Sequence, residues 1–140
     1  SGYSKDIYFI GSPFVEIFKL RQSAYIDLLR KTILDLKLKS KIIYVPHPKE
    51  NPLYLKKYFK GIQILNIDCP IELHLLNKNK FPHRVISFRS TALITLKKIS
   101  NRFRLLNLSE KKILMPNYDY GRRKKINRYI EKIGIKTKVL

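Results

Sequence analysis

Short runs of β-branched and aromatic residues alternate along the chain with stretches whose apolar positions recur every three to four residues. Asp6–Ile10 is the first run, and it closes at Gly11-Ser12-Pro13, so it reads as a buried strand ended by a turn. Over residues 21–38 the apolar positions Tyr25, Leu28, Leu29, Ile33 and Leu36 keep a helical period. Lys41–Val45 is a second strand, stopped by Pro46-His47-Pro48. Residues 52–60 form a short helix with Gly61 just past its end. Ile62–Ile67 is a third strand, and Pro70 opens a helix running through Leu76. Val85–Phe88 is a fourth strand leading into Arg89-Ser90-Thr91 and a helix over 91–99, with Leu93 and Leu96 inward. A fifth strand over 103–108, a basic helix over 118–133 ended by Gly134, and a last strand from Lys136 to Leu140 complete the pattern. Near-continuously apolar strands joined by helices predict an α/β three-layer sandwich with a mainly parallel sheet, covered on both faces.

Composition narrows this picture. The 140 residues suit a single domain over 1–140, large enough to bury roughly two thirds of its unfolded surface. A hydrophobic content of 44% is too high for a disordered chain. Apolar stretches are too short for a membrane-crossing helix, and no secretory signal is visible. The lone Cys69, read as a small buried hydrophobe, excludes an intrachain disulfide framework; zinc spacing is also missing. The expectation is a reducing, cytoplasmic location. Opening on Ser1-Gly2 without Met, the sequence reads as a piece of a longer protein. Thirty Lys and Arg against ten Asp and Glu give a net charge of +20, which calls for an anionic partner.

In an open parallel sheet, ligands bind beyond the carboxyl ends of the strands. Those positions hold Gly11-Ser12-Pro13, His47-Pro48-Lys49, Glu72 and Ser90-Thr91. They offer a permissive glycine, an imidazole, a carboxylate, two hydroxyls and helix N-termini, a set suited to a phosphorylated ligand. Neither the GxGxxG fingerprint nor a Walker A loop is present. Each residue also has a structural reading. Ser90-Thr91 can cap a helix, Glu72 can favour a helix dipole, Gly11 can serve a tight turn, and His47 can shape the turn between its two prolines.

The run Phe9-Ile10-Gly11-Ser12-Pro13, then Tyr44-Val45-Pro46-His47-Pro48-Lys49-Glu50, Pro70-Ile71-Glu72 and Ser90-Thr91-Ala92-Leu93 resembles the bacterial sialyltransferases. Within them it is most similar to the lipooligosaccharide sialyltransferases of glycosyltransferase family 52. The resemblance implies one Rossmann-like half of a GT-B enzyme, the C-terminal half that binds the donor CMP-sialic acid without a metal. His47 would be catalytic, meeting the donor phosphate and assisting CMP departure. Gly11, Ser12, His47, Pro48, Glu72, Ser90 and Thr91 would bind the nucleotide, Glu72 at the ribose and Ser90 and Thr91 at the phosphate. The acceptor would be a glycolipid or a capsular polysaccharide. The acidic D/E-D/E-G motif of the family is missing from the sequence. That leaves the acceptor-activating base unassigned, and the acceptor-binding domain would come from elsewhere, through a second polypeptide or a swapped homodimer.

Two further readings compete. The cluster Arg122-Arg123-Lys124-Lys125, with Tyr54, Tyr58, Phe59 and Tyr129 among other basic residues, suits a nucleic-acid-binding protein. The basic helix, with Ile126, Tyr129, Ile130 and Ile133 on its apolar side, suits an anionic membrane surface. That reading combines with a glycolipid acceptor, placing the protein at the cytoplasmic face of the inner membrane.

Overall fold

Successive residues of a strand point to opposite faces of its sheet, and in the strand Ile7–Ile10 all four are buried. A strand buried on both faces belongs at the centre of a covered sheet. The computed structural model describes residues 2–111, 115 and 118–140. Its strands are β1 (Ile7–Ile10), β2 (Ile42–Val45), β3 (Ile62–Ile64), β4 (Arg84–Ser87), β5 (Leu105–Ser109) and β6 (Lys136–Val139). Its α-helices are α1 (Gln22–Asp35), α2 (Leu55–Tyr58), α3 (Ile71–Leu76), α4 (Thr91–Ile99) and α5 (Tyr120–Lys132). The strands form one six-stranded sheet in the order β3-β2-β1-β4-β5-β6. Every pairing is parallel. This order is that of a Rossmann-like fold, whose chain reverses direction across the sheet between β1 and β4.

Two cores lie on opposite sides. Ile7, Phe9, Tyr44, Ile86 and Leu106 pack with Tyr25, Ile26 and Leu29 of α1 and Leu55 of α2. Tyr8, Ile10, Val45 and Val85 pack with Ile71 and Leu75 of α3, Leu93 and Leu96 of α4, and Ile130 of α5. The result is three layers. Among the described residues, no helix is long and apolar enough to cross a membrane.

Several boundaries differ from the sequence expectation. The third strand stops at Ile64 instead of Ile67. The Leu65 amide makes the last bond, to the Tyr44 carbonyl at 2.9 Å, and β2 then runs into Pro46, which has no N–H to extend a ladder. The helix expected over 52–60 is a 3₁₀ turn at Pro52–Tyr54 followed by one turn of α2. The basic helix starts at Tyr120 because Asp119 caps it, accepting from the Arg122 amide at 3.1 Å. Cys69, expected to be buried, is half-buried.

The loops after β4 and β5 are tied together by buried charge. Arg89 sits in the left-handed region at φ 55°, a conformation that bulky residues rarely adopt. Its amide donates to Asn107 Oδ1 at 2.8 Å, and its guanidinium grips Glu110 through two bonds of 2.7 and 3.1 Å. Arg89 Nε donates to the Tyr118 hydroxyl at 2.9 Å. Arg123 adds a second cation, 3.0 Å from Glu110 Oε1. The Arg89 and Glu110 side chains are only 2% and 3% exposed.

Removing one partner of a buried pair strands the other without solvent. Glu110→Gln should therefore lower the unfolding free energy by about 3–5 kcal/mol in urea titrations. Arg89→Met combined with Glu110→Leu should cost less than the two single changes added together, because the mutual attraction is lost only once.

Candidate functional site

Parallel strands put all their carboxyl ends on one edge, and the reversal of winding between β1 and β4 opens a crevice there. The loops after β1, β2 and β4 meet at that crevice in a cleft of about 570 Å³. Gly11, Ser12, His47, Ser90 and Thr91 line it, with Arg89 and Arg122 as cations and Phe14, Phe18 and Phe88 as apolar wall. Pro48 is exposed beside it, and Glu72 lies on the same sheet edge in the first turn of α3; neither lines the cleft. Glu72 is half-buried and makes no hydrogen bond or ion pair with the described residues.

Ser90 is the N-cap of α4, and its Oγ accepts from the Ala92 amide at 3.1 Å. Capping explains the residue type, and it also fixes where the helix N-terminus meets the cleft. His47 is held by its neighbours. The Lys49 amide donates to Nδ1 at 3.1 Å, so the neutral ring carries its proton on Nε2. Burial first, and then the Lys49 ammonium, push the imidazole below its ordinary 6.5, against an opposing pull from Glu16. The ring is therefore neutral at pH 7, a hydrogen-bond donor through Nε2.

Behind the cleft wall lies a polar cluster that the strand-end reasoning did not single out. The Glu50 carboxylate accepts the His47 amide at 3.1 Å and the Tyr44 hydroxyl. Tyr44 and Tyr25 share a hydrogen bond of 2.6 Å, and Tyr25 accepts the Ser12 amide at 3.4 Å. Burial raises Glu50 to about 7, with the nearby Glu16 carboxylate adding to the rise and the Tyr44 and His47 bonds opposing it. Glu16 Oε2 accepts the Asn51 amide at 2.9 Å, while Oε1 is buried without a partner. A Cβ at position 11 would overlap the Glu50 carboxylate and the Tyr44 hydroxyl. This close approach is what a glycine there allows.

No motif in the sequence marks Arg89 and Arg122 as cleft residues: both sit among thirty Lys and Arg, and Arg122 stands in the cluster that suits nucleic acid. The post-strand rule that picked out Ser90 reaches Arg89 one residue earlier. The basic cluster of α5 is divided by the fold. Arg122 lines the cleft without an ion-pair partner among the described residues, Arg123 turns inward to Glu110, and Lys124 and Lys125 remain exposed.

Two outcomes check this geometry. Gly11→Ala should destabilise the protein by about 1–3 kcal/mol by overpacking, whereas Gly61→Ala, with nothing within 4 Å of the added carbon, should stay within about 0.5 kcal/mol of wild type. Chemical denaturation reads both. The second concerns pH. A folded value near 7 against an ordinary 4.5 means that the stability linked to Glu50 is full below about pH 4.5 and lost as pH rises through 7. Relative to Glu50→Gln, wild-type unfolding free energy should fall by about 3 kcal/mol between pH 4.5 and 8.

Comparison with known proteins bears on what such a cleft serves. No curated protein matches the chain. A family model described as alpha-2,8-polysialyltransferase (POLYST) matches residues 2–106, from the segment before β1 into β5. The matched span holds every residue placed on the β1, β2 and β4 loops, together with Glu72, and stops short of Glu110 and α5. The chain therefore belongs to the alpha-2,8-polysialyltransferase family, and it is a sialyltransferase sequence, with a nucleotide sugar as donor and a glycan as acceptor.

Proposed function

We propose that this chain is the donor-binding, C-terminal half of a GT-B sialyltransferase, holding CMP-sialic acid in the cleft between the β1, β2 and β4 loops. The observation that carries this reading is the convergence of His47, Ser90, Thr91 and the N-terminus of α4 on one crevice at the reversal of the sheet. Hydroxyls, an imidazole N–H, helix amides and Arg122 are the groups that hold a phosphate. Glu72, with a carboxylate left free on the same edge, accepts the ribose hydroxyls. No metal is needed, because the cleft supplies its own donors and cation.

The transfer breaks the bond between the anomeric carbon and the CMP phosphate oxygen, which leaves with the electron pair. An acceptor hydroxyl forms the new bond and gives up its proton to a base outside the residues assigned here. Negative charge grows on the departing phosphate, and donors fixed in advance stabilise it more in the transition state than in the ground state. His47 contributes a hydrogen bond from Nε2. Full protonation of the ring would cost the Lys49 contact at Nδ1. The family's description favours a sialyl residue as acceptor and an α2,8 linkage, and a sialylated polysaccharide or glycolipid of the cell surface carries it. The exposed Lys124, Lys125 and Arg128 of α5 suit an anionic membrane surface, in keeping with a peripheral site on the cytoplasmic side.

Calorimetric titration tests the reading. CMP should bind with a dissociation constant in the millimolar range or tighter, UMP and AMP more weakly, and Glu72→Ala should cost about 1–3 kcal/mol of affinity. Equal binding of UMP, or no binding of CMP at millimolar concentration, contradicts it. In a protein that also carries the acceptor-binding domain, His47→Ala should lower kcat by roughly 10²–10³-fold with little change in donor KM.

A further inference from the structure

Two of the three loops around the cleft are joined from behind by a line of hydrogen bonds, alongside the bond from the Asn51 amide to Glu16 Oε2. The Ser12 amide donates to the Tyr25 hydroxyl, Tyr25 pairs with Tyr44, Tyr44 donates to Glu50 Oε2, and Glu50 Oε1 accepts the His47 amide. Both ends are backbone N–H groups, which can only donate. With Glu50 ionised, the protons of Ser12, Tyr25, Tyr44 and His47 fill these bonds one each, all running toward the carboxylate.

We propose that Glu50, Tyr44 and Tyr25 are positioning residues for the donor cleft. Their chain holds Ser12 and His47 at a fixed spacing when Glu50 is ionised and loosens that hold when Glu50 takes up a proton. The proposal rests on the reading of Ser12 and His47 as walls of the donor site.

A neutral carboxyl is a weaker acceptor than a carboxylate, so protonation weakens the bonds that Glu50 accepts from the Tyr44 hydroxyl and from the His47 amide together. Gly11 leaves no slack on this side, since its backbone lies against Glu50 and Tyr44.

The setting makes Glu50 the group that titrates. Glu110 is ion-paired with two guanidinium groups. Glu50 has no ion pair among the described residues and is held by hydrogen bonds alone. The titratable groups facing it are Tyr25 from α1, Tyr44 from β2, Tyr54 from the 3₁₀ turn, and Glu16 from the loop after β1. His47 and Lys49 lie in its own loop. Burial pushes all three tyrosines well above 10, so they keep their protons throughout the physiological range, while Glu50 changes state near 7.

The test follows the amide of Ser12, at the far end of the chain from the carboxyl, by heteronuclear NMR between pH 5.5 and 8.5. The Glu50 carboxyl carbon is recorded in parallel, and the His47 ring is followed through its own carbons. The Ser12 amide should shift with the midpoint of the Glu50 carboxyl, and Tyr25→Phe should abolish that shift while leaving the Glu50 titration in place. Glu50→Gln should flatten both. CMP affinity, measured as the ratio of wild type to Glu50→Gln at each pH so that titration of the CMP phosphate cancels, should be about fivefold at pH 8.5 and about one at pH 5.5, the fold-change of roughly one hydrogen bond. A Ser12 amide that ignores the Glu50 titration, or a ratio unchanged between the two pH values, overturns the proposal. If Glu50→Gln does not fold, the Tyr25→Phe comparison decides alone. If CMP binds at neither pH while Ser12 still follows Glu50, the switch stands and the donor reading fails.

Discussion

Two guanidinium groups, Arg89 and Arg123, close on one carboxylate, Glu110, at the carboxyl edge of the sheet. The attraction is strong because water is excluded, and it is required for the same reason, since any member left alone would be a bare charge in a medium that solvates it poorly. It also settles geometry. Arg89 reaches Glu110 with its backbone in the left-handed region, and the next residue is Ser90, the cap of α4. Asn107 holds the Arg89 amide and is itself fixed by Asn127 of α5 and Thr137 of β6. The β4, β5, α5 and β6 segments are thus locked in one polar network, and the N-terminus of α4 faces the cleft as a consequence.

The other side of the cleft is built on a different principle. Glu50 is half-buried behind the β2 loop with hydrogen-bond donors but no ion-pair partner among the described residues, so its charge is tolerated instead of secured. A carboxylate near its neutral point can report pH. The cleft therefore has one wall that is electrostatically rigid and one that depends on a single proton. That asymmetry makes the His47 and Ser12 side the adjustable part of the site.

Much of the architecture was legible in the sequence because strands buried on both faces leave long apolar runs. Ile7–Ile10, Ile42–Val45 and Val85–Phe88 could hardly be read otherwise, and placing chemistry at their carboxyl ends led to Ser12, His47, Ser90 and Thr91. What escaped was set by three-dimensional pairing. Arg89 and Arg123 differ from the other basic residues only in facing Glu110, which lies 21 and 13 residues away respectively, and no local pattern marks that. Glu50 stood inside the motif around His47, yet its meaning depends on Tyr25 from another element. Gly11 was legible as a position needing glycine, whereas its reason, the carboxylate and hydroxyl packed against it, was not. The third strand was read too long because the limit comes from its partner, where Pro46 ends the ladder.

Membership in a polysialyltransferase family supplies the chemistry, and the cleft at the β1/β4 reversal supplies a place for it. The two meet where Ser90, Thr91 and His47 converge, the position proposed for the donor phosphate. A crystal structure of the chain with CMP measures this most directly. The phosphate is expected within hydrogen-bonding distance of the His47 imidazole and of the hydroxyls or amides of Ser90 and Thr91, with the ribose toward Glu72. CMP bound instead in a hollow away from the carboxyl edge, or in the cleft with its phosphate turned away from these residues, would contradict it.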